Sequence, residues 1–234
     1  ETTRVNLNGR LRRGVMARDI FHHIVRTLGP ASCRFQVLEI GGDAVEHLSI
    51  EGRQAINCLA MFTGAITAIM NPDDKALAYA RERARIDLEP VFSDADATYA
   101  AVHDIDITEL EPIVVVPPSP ANTKDLKDYA GTEVQVGYLG SCASGRLEDL
   151  RIAAEVLRGK QVKPGFQLHV VPTSQEIMEQ ASREGVLTDL IAAGAFVTSS
   201  SCDYCFGRMG VMSDGQRAVS TGTLNVQGRM GSPD

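Results

Sequence analysis

The sequence has no tryptophan, few aromatic residues and no excess of positive charge. Its 23 lysine and arginine residues face 30 aspartate and glutamate residues, which gives a net charge of −7. Without a basic stripe or interleaved aromatic residues, the chain lacks the features of a nucleic-acid-binding protein. No apolar run approaches the roughly 18 residues of a membrane span, and no signal-peptide pattern follows Glu1. We therefore expect no nucleic-acid partner and no membrane association.

Cysteine is scarce as well. The five cysteines are an odd number and lack the density of a disulfide framework. This usage favours a reducing compartment, so we expect a cytoplasmic protein. Cys33 and Cys58 lie in apolar surroundings, where a free cysteine is most often a packed side chain.

The remaining three cysteines lie in runs of small residues. Cys142 stands in Gly-Ser-Cys-Ala-Ser-Gly-Arg, and Cys202 and Cys205 stand in Ser-Ser-Cys-Asp-Tyr-Cys-Phe-Gly. Each run follows an apolar stretch that we predict to be a strand. These runs are the candidates for chemistry in this sequence.

Strands and helices alternate along the chain. In the first part we expect strands at 4–11 and 35–40, a helix capped by Asp19, a long apolar helix at 49–70 and an amphipathic helix at 73–85. In the second part we expect strands at 133–139, 166–171 and 195–198 and helices at 147–157, 175–184 and 187–193. The proline-rich stretch 111–128 separates the two parts. We therefore predict two α/β domains, 1–110 and 111–234, with parallel sheets and flanking helices, the second of them doubly wound.

In a parallel sheet, ligands gather at the carboxyl ends of the strands. Cys142 and Cys202 each follow a predicted strand, so we expect the three thiols at one edge of one sheet. Three thiolates are one fewer than a closed tetrahedral site, and an iron–sulfur cluster held by three thiolates keeps one iron open as a Lewis acid. Taken alone, the Cys202-x-x-Cys205 pair is also compatible with half of a zinc site, a redox dithiol or chance. A second such pair is missing, which weakens zinc, and the surrounding glycines indicate a loop, which weakens a thioredoxin-like site.

The residues around these cysteines resemble the aconitase superfamily. The stretch 138–150 is similar to the first cluster motif of that family, most of all in the large subunits of isopropylmalate isomerase and homoaconitase. The similarity extends over nearly the whole chain, at 48–53, 109–112, 151–159, 171–175, the Cys-x-x-Cys-x-Gly loop, 208–211 and 225–231. The resemblance identifies 1–110 with the second, helix-rich domain of the aconitase type and 111–234 with the third, cluster-binding domain.

The resemblance implies a 4Fe-4S cluster held by Cys142, Cys202 and Cys205. It also implies a hydro-lyase, a dehydratase or isomerase that acts on a hydroxy-carboxylic acid. Arg229 would anchor a substrate carboxylate, and Ser144 and Arg146 are secondary candidates for substrate contact. Arg146 could equally pair with Glu148 or Asp149, because all three lie at the start of a predicted helix.

The chain departs from the family pattern at several positions. Cys58 and Phe62 stand where the family has Asn and Glu near the cluster, and Leu224 stands where it has the Arg that clamps a substrate carboxylate. An apolar residue cannot replace a bidentate clamp. These changes imply an altered substrate or weakened catalysis. They keep open a non-catalytic member that uses the cluster for structure or redox sensing, and a zinc-bound structural domain.

Two parts of the family pattern do not occur in this sequence. They are the Asp-Ser-His-Thr motif of the amino-terminal domain and the swivelling small domain or subunit that brings the catalytic base. We therefore expect a partial large subunit whose partners are that amino-terminal domain and the small subunit. By itself we expect it to be inactive.

Overall fold

Both parts of the chain form parallel sheets flanked by helices, which confirms the predicted fold class. The structure is a computed structural model, and it describes residues 1–223 and 225–232. It contains two units, which divide between Val114 and Val115. The boundary predicted from the sequence lies at 110/111. None of the helices in the described residues has the length and apolar character that a bilayer crossing requires.

The first unit contains a four-stranded sheet in the order β3-β2-β1-β4, with all neighbours parallel. Its strands are β1 (Thr2–Asn8), β2 (Val37–Gly41), β3 (Thr67–Met70) and β4 (Ala101–Asp106). Its helices are α1 (Ala17–Leu28), α2 (Ala44–His47), α3 (Ile50–Leu59) and α4 (Asp74–Arg83), with a 3-10 turn at Ala60–Thr63. Helix α1 packs against α3, and Ile20, Phe21 and Ile24 on α1 are fully buried.

The second unit is built in the same way. The short strand β5 (Ile113–Val115) spans the boundary between the units, and β6 (Thr123–Asp125) and a 3-10 turn at Leu126–Tyr129 follow it. The main sheet contains β7 (Val136–Gly140), β8 (Gln167–Val171), β9 (Ala195–Val197) and β10 (Ala218–Ser220) in the parallel order β10-β7-β8-β9. The helices are α5 (Leu147–Leu157), α6 (Gln175–Arg183), α7 (Val186–Ala192) and the short α8 (Asp203–Phe206).

The sheet of the second unit has two different faces. Helices α5, α6 and α7 contact one another and bury one face around Val170 and Leu190. Val171, the next residue along β8, belongs to a separate core with Tyr138 and Cys205, because successive side chains of a strand point to opposite faces. From β7 the chain continues to β8 on one side of β7, and it later returns to the other side of β7 as β10. Folds of this kind bind ligands in the crevice at the carboxyl ends of the strands where the order reverses, which here are β7 and β10.

Two details of the first unit differ from the prediction. The helix predicted at 49–70 ends at Leu59, and the chain then forms a 3-10 turn and strand β3. Gly64 has a φ of 79°, a left-handed conformation that ends helices, and the β-branched Thr67 and Ile69 pair with β2. Asp19 is not the residue that precedes α1. It lies in the first turn, where its carboxylate accepts the N–H of Met16 at 2.7 Å.

Candidate functional site

The loop that carries Cys142 lies tightly against the end of β7. A side chain on Gly145 would collide with the carbonyl oxygen of Val171, and a Cβ on Gly140 would lie 2.8 Å from the hydroxyl of Tyr138. Ser141 has a φ of 81°, a conformation that a non-glycine residue rarely adopts. The glycines of the Gly-Ser-Cys-Ala-Ser-Gly run are therefore required by close backbone contact, and they leave Cys142 exposed at the top of the loop.

The segment that follows β10 is hydrogen-bonded to this loop. The hydroxyl of Thr221 accepts the N–H of Gly140 at 2.9 Å and approaches the carbonyl oxygen of Ser144 at 3.2 Å. The hydroxyl of Thr223 donates to Ser141 Oγ at 3.3 Å and lies 3.7 Å from the sulfur of Cys142. The Cys142 thiol thus lies at the crevice between the carboxyl ends of β7 and β10.

Cys202 and Cys205 lie on one side of a single helical turn. Cys202 is the N-cap of α8, and its carbonyl oxygen accepts the N–H of Phe206 at 2.8 Å. The predicted loop is wrong here, because the pair opens a four-residue helix that Gly207 ends with a φ of 82°. Residues three apart on a helix are neighbours. Cys202 is exposed, whereas Cys205 is buried.

The three cysteines come together around Tyr138. A Cβ on Gly222 would lie 3.7 Å from the sulfur of Cys205, while the next residue, Thr223, contacts the sulfur of Cys142. Cα atoms of consecutive residues are about 3.8 Å apart, so these two thiols occupy the same small region. Burial raises the pKa of Tyr138 above its usual range, and negative charge on all three cysteines raises that pKa further.

The donor set of this region is three thiols. Within residues 1–223 and 225–232, no three His, Cys, Asp or Glu side chains are arranged to hold a metal ion. A single zinc ion needs its ligands within about 2.3 Å of one centre. An iron–sulfur cluster spaces its thiolates more widely, because each binds a different iron. An all-cysteine donor set is the kind that iron–sulfur clusters take.

The three residues predicted to contact substrate have distinct surroundings. The guanidinium of Arg146 donates to the carbonyl oxygen of Cys142 at 2.7 Å, and the Arg146 backbone N–H donates to the Asp149 carboxylate at 3.1 Å. Ser144 is buried in the same loop. The guanidinium of Arg229 lies over the ring of Phe206, 4.8 Å from its centroid. Arg146 thus stabilises the Cys142 loop, and Arg229 lies beside the helix that carries Cys202 and Cys205.

Apart from Ser144, sequence reasoning missed the hydroxyl residues of the site. Tyr138 was included only as part of a motif, and Thr221 was not considered. The signal in the sequence was the run Ser-Thr-Gly-Thr at 220–223 directly after a short apolar stretch.

Two positions that depart from the family pattern are Phe62 and Leu224. Phe62 lies in the first unit, and its ring centroid is 6.2 Å from that of Phe21. Leu224 lies outside the described residues.

Comparison with known proteins identifies the family of this chain. The model of the Aconitase family (aconitate hydratase) matches residues 1–130 and 122–234. The chain is 37% identical over 232 residues to the 3-isopropylmalate dehydratase large subunit 1 of Methanopyrus kandleri, covering 99% of this chain and 56% of that protein. It is also 37% identical over 236 residues to the corresponding protein of Pyrococcus abyssi, covering 100% of this chain and 56% of that protein.

The chain thus spans about half the length of the curated relatives that it matches. Among solved structures, aconitase X of Thermococcus kodakaraensis in its holo-form aligns with 86% of this chain and 44% of its own, at 15% identity and a TM-score of 0.43. The family model covers both units of the chain, including all three cysteines of the second. The chain is therefore a member of the aconitase family.

Proposed function

We propose that this chain is part of the large subunit of a hydro-lyase of the 3-isopropylmalate dehydratase type, which acts on a hydroxy-carboxylic acid. Membership of the aconitase family and the names of the relatives support this class of reaction. The observation that carries the proposal is that the cysteine loops after β7 and β9 both meet the segment after β10. There Thr223 lies 3.7 Å from the sulfur of Cys142, and a Cβ on Gly222 would lie 3.7 Å from the sulfur of Cys205.

Cys142, Cys202 and Cys205 would hold a 4Fe-4S cluster. When bound, such a cluster supplies a Lewis-acidic iron that stabilises a departing hydroxyl group. Cys205 lies in an apolar core, and Cys142 and Cys202 are exposed. The bonds from Thr221 to the Cys142 loop hold that loop in place. The chain therefore contributes a site that is fixed on one side and open on the other.

Arg229 would anchor a substrate carboxylate. Its guanidinium is held against the face of Phe206, and within the described residues its buried Nε has no hydrogen-bond partner. A planar guanidinium fixed in this way has N–H groups available for a carboxylate. Ser144 and Arg146 would shape the site from the Cys142 loop, where both are buried.

The catalytic acid and base would come from partners. The relatives are large subunits about twice the length of this chain, so the rest of the large subunit and a small subunit are the expected sources of those groups. We place the whole assembly in the cytoplasm, in keeping with the low cysteine content and the reduced thiols that the cluster requires.

One observation favours a second candidate, a non-catalytic protein that keeps the cluster for structure or redox sensing. The resemblance places a glutamate of the family at Phe62, and here the Phe62 ring packs against Phe21. A phenyl group can neither bind the hydroxyl of a substrate nor exchange a proton with it. In this candidate the three cysteines keep their role and Arg229 does not.

Iron and sulfide analysis after anaerobic reconstitution tests the cluster. We expect about four irons and four sulfides per chain, as in a cubane cluster. Cys142→Ser, Cys202→Ser and Cys205→Ser should each lose most of this iron, because a serine oxygen is a harder and weaker ligand for the cluster. Cys33→Ser, at a free cysteine to which no role near the cluster is assigned, is the matched control and should bind as the wild type does. Stoichiometric zinc without iron would contradict the proposal and favour a structural zinc domain.

Turnover separates the two cluster-dependent candidates. The reconstituted chain is combined with the rest of the large subunit and the small subunit, and dehydration is assayed on a panel of malate-type hydroxy-acids. The proposal predicts turnover that Arg229→Lys reduces mainly through KM, since lysine cannot form the bidentate contact. An intact cluster with no turnover on the whole panel would favour the non-catalytic candidate.

A further inference from the structure

Tyr138 is a buried polar residue in an apolar environment. Its side chain is 2% exposed and packs in a core with Val136, Val171, Cys205 and Met230. In the part of the chain that the structure describes, no acceptor is in place for the proton of its hydroxyl. The backbone N–H of Ser141 approaches the phenol oxygen, but an N–H is a donor and cannot accept the hydroxyl proton. A buried donor without an acceptor destabilises a protein, and such groups are rare. A phenylalanine would fill this position without that cost, so the hydroxyl needs an explanation.

The hydroxyl lies close to the start of the Cys142 loop. It is 2.8 Å from the point where a Cβ on Gly140 would lie, at the carboxyl end of β7. The Tyr138 ring and the sulfur of Cys205 contact the same residue, at 3.6 Å and 3.7 Å from the position of a Cβ on Gly222. Tyr138 therefore lies between Cys205, which is buried, and the loop that carries Cys142, which is exposed.

The chemistry of the phenol fits this placement. An ordinary tyrosine has a pKa of about 10, so its hydroxyl keeps its proton at neutral pH and is a hydrogen-bond donor. Cysteine sulfur is an acceptor in the thiolate form in which a cluster binds it.

We propose that Tyr138 is a positioning residue whose hydroxyl donates a hydrogen bond to a sulfur of the bound cluster, either a cysteine thiolate or an inorganic sulfide. This inference rests on the proposed function, because it assigns a role toward the same cluster. The reduced cluster carries one more negative charge than the oxidised cluster, so a donor at sulfur stabilises the reduced form more. Hydrogen bonds to the sulfurs are among the factors that set the reduction potential of such clusters. Tyr138 therefore raises that potential.

Tyr138→Phe in the full chain tests the inference, because it removes the hydroxyl and keeps the ring. Tyr129→Phe, the same chemical change in the same unit but outside the cysteine loops, is the matched control. After anaerobic reconstitution, we expect both variants to contain the wild-type amounts of iron and sulfide. The reduction potential, measured by titrating the electron paramagnetic resonance signal of the reduced cluster, should be more negative in Tyr138→Phe and unchanged in Tyr129→Phe.

The melting temperature of the apo chain gives a second readout. Because the unpaired hydroxyl is lost, apo Tyr138→Phe should melt at or above the wild-type temperature. The same variant should melt below the wild type once the cluster is bound. An unchanged potential in a fully loaded Tyr138→Phe chain would overturn the inference, and so would an apo variant that fails to fold. Failure of the wild-type chain to assemble any cluster would instead count against the proposed function.

Discussion

At the scale of single residues, the first unit contains a buried charge that is paired with a carboxylate. Arg53 on α3 is 5% exposed, and its guanidinium donates to both oxygens of the Asp73 carboxylate, at 2.8 Å and 2.6 Å. The same carboxylate accepts the N–H of Ala76 at 2.9 Å and so caps α4. The hydrogen bonds from Arg53 hold the pKa of Asp73 at about 2. One carboxylate therefore joins α3 to the start of α4.

We predict that Asp73→Ala lowers the free energy of unfolding by about 3–5 kcal/mol, because it leaves the Arg53 charge buried without its partner. Urea unfolding at pH 7 measures this. Asp74→Ala, at an exposed position one residue later, should lower stability by only about 0.5 kcal/mol. Since the folded pKa of Asp73 is below that of the unfolded chain, its contribution is complete above about pH 4 and disappears as the pH falls toward 2. A similar loss in both variants would mean that the pair is weak.

Residue types alone identified the cysteines of the site but not the hydroxyl groups. Cysteine is rare, and its spacing is informative, so Cys142, Cys202 and Cys205 were predicted from the sequence. Tyrosine and threonine occur in many environments, and the role of Tyr138 or Thr223 depends on which residue from a distant part of the chain lies beside it. Cys142 and Thr223 are 81 residues apart.

At the scale of elements, helix α1 buries a histidine. His22 is 2% exposed, and neither of its ring nitrogens has a hydrogen-bond partner within the described residues. Burial, together with the smaller effect of the positive charge of Arg18, lowers the pKa of His22 to about 3. Its ring contacts Phe21 edge-on, with centroids 5.9 Å apart. The imidazole is therefore neutral in the folded protein and packs as an apolar side chain would. We expect protonation of this buried ring to destabilise the packing of α1.

We predict that stability falls as the pH is lowered from about 6.5, where the unfolded histidine gains a proton, toward 3, where the folded one does. The slope should approach about 1.4 kcal/mol per pH unit. His22→Leu should reduce this slope, and His47→Leu, at an exposed position, should not. Burial raises the pKa of Asp19, so protonation of Asp19 stabilises the folded state as the pH falls, which is opposite to the effect of His22. Urea unfolding of each variant is therefore compared with that of the wild type at every pH. An equal slope in His22→Leu would contradict the assignment.

Helices and strands were predicted well where local signals agreed with tertiary packing. Helix α5 was predicted at 147–157 and is found at Leu147–Leu157, because its apolar spacing and its following glycine indicate the same limits. The helix at 49–70 was wrong because an apolar stretch can form a helix or a buried strand, and pairing with β2 decided the outcome. The pair Cys202 and Cys205 was placed in a loop because a four-residue helix has no period that a sequence can reveal.

At the scale of the whole molecule, all three cysteines and their supporting hydroxyl groups lie in the second unit. A ligand that binds only the folded state stabilises the part of the structure that it contacts. Hydrogen exchange followed by mass spectrometry can therefore locate the effect of the cluster along the chain.

We predict that reconstitution slows amide exchange in β7, in the Cys142 loop and around α8, because these segments would hold the proposed ligands. Exchange in β1 and β2 should stay the same. Reconstituted Cys142→Ser is the control and should show little protection in either unit. Protection spread equally over both units would contradict a site confined to the second one.

The sequence by itself determined the alternation of strands and helices, the parallel fold class, the positions of the three cysteines and the resemblance to the aconitase family. These features depend on local periodicity, on rare residue types and on short motifs, all of which are written in consecutive residues. The tertiary structure decided that Gly64 ends the 3-10 turn after α3, that Arg146 binds the carbonyl oxygen of Cys142, and that Tyr138 lies near the thiols. Each of these depends on conformation or on contacts across the sheet, and the free energy of such contacts depends on the whole fold rather than on any local pattern.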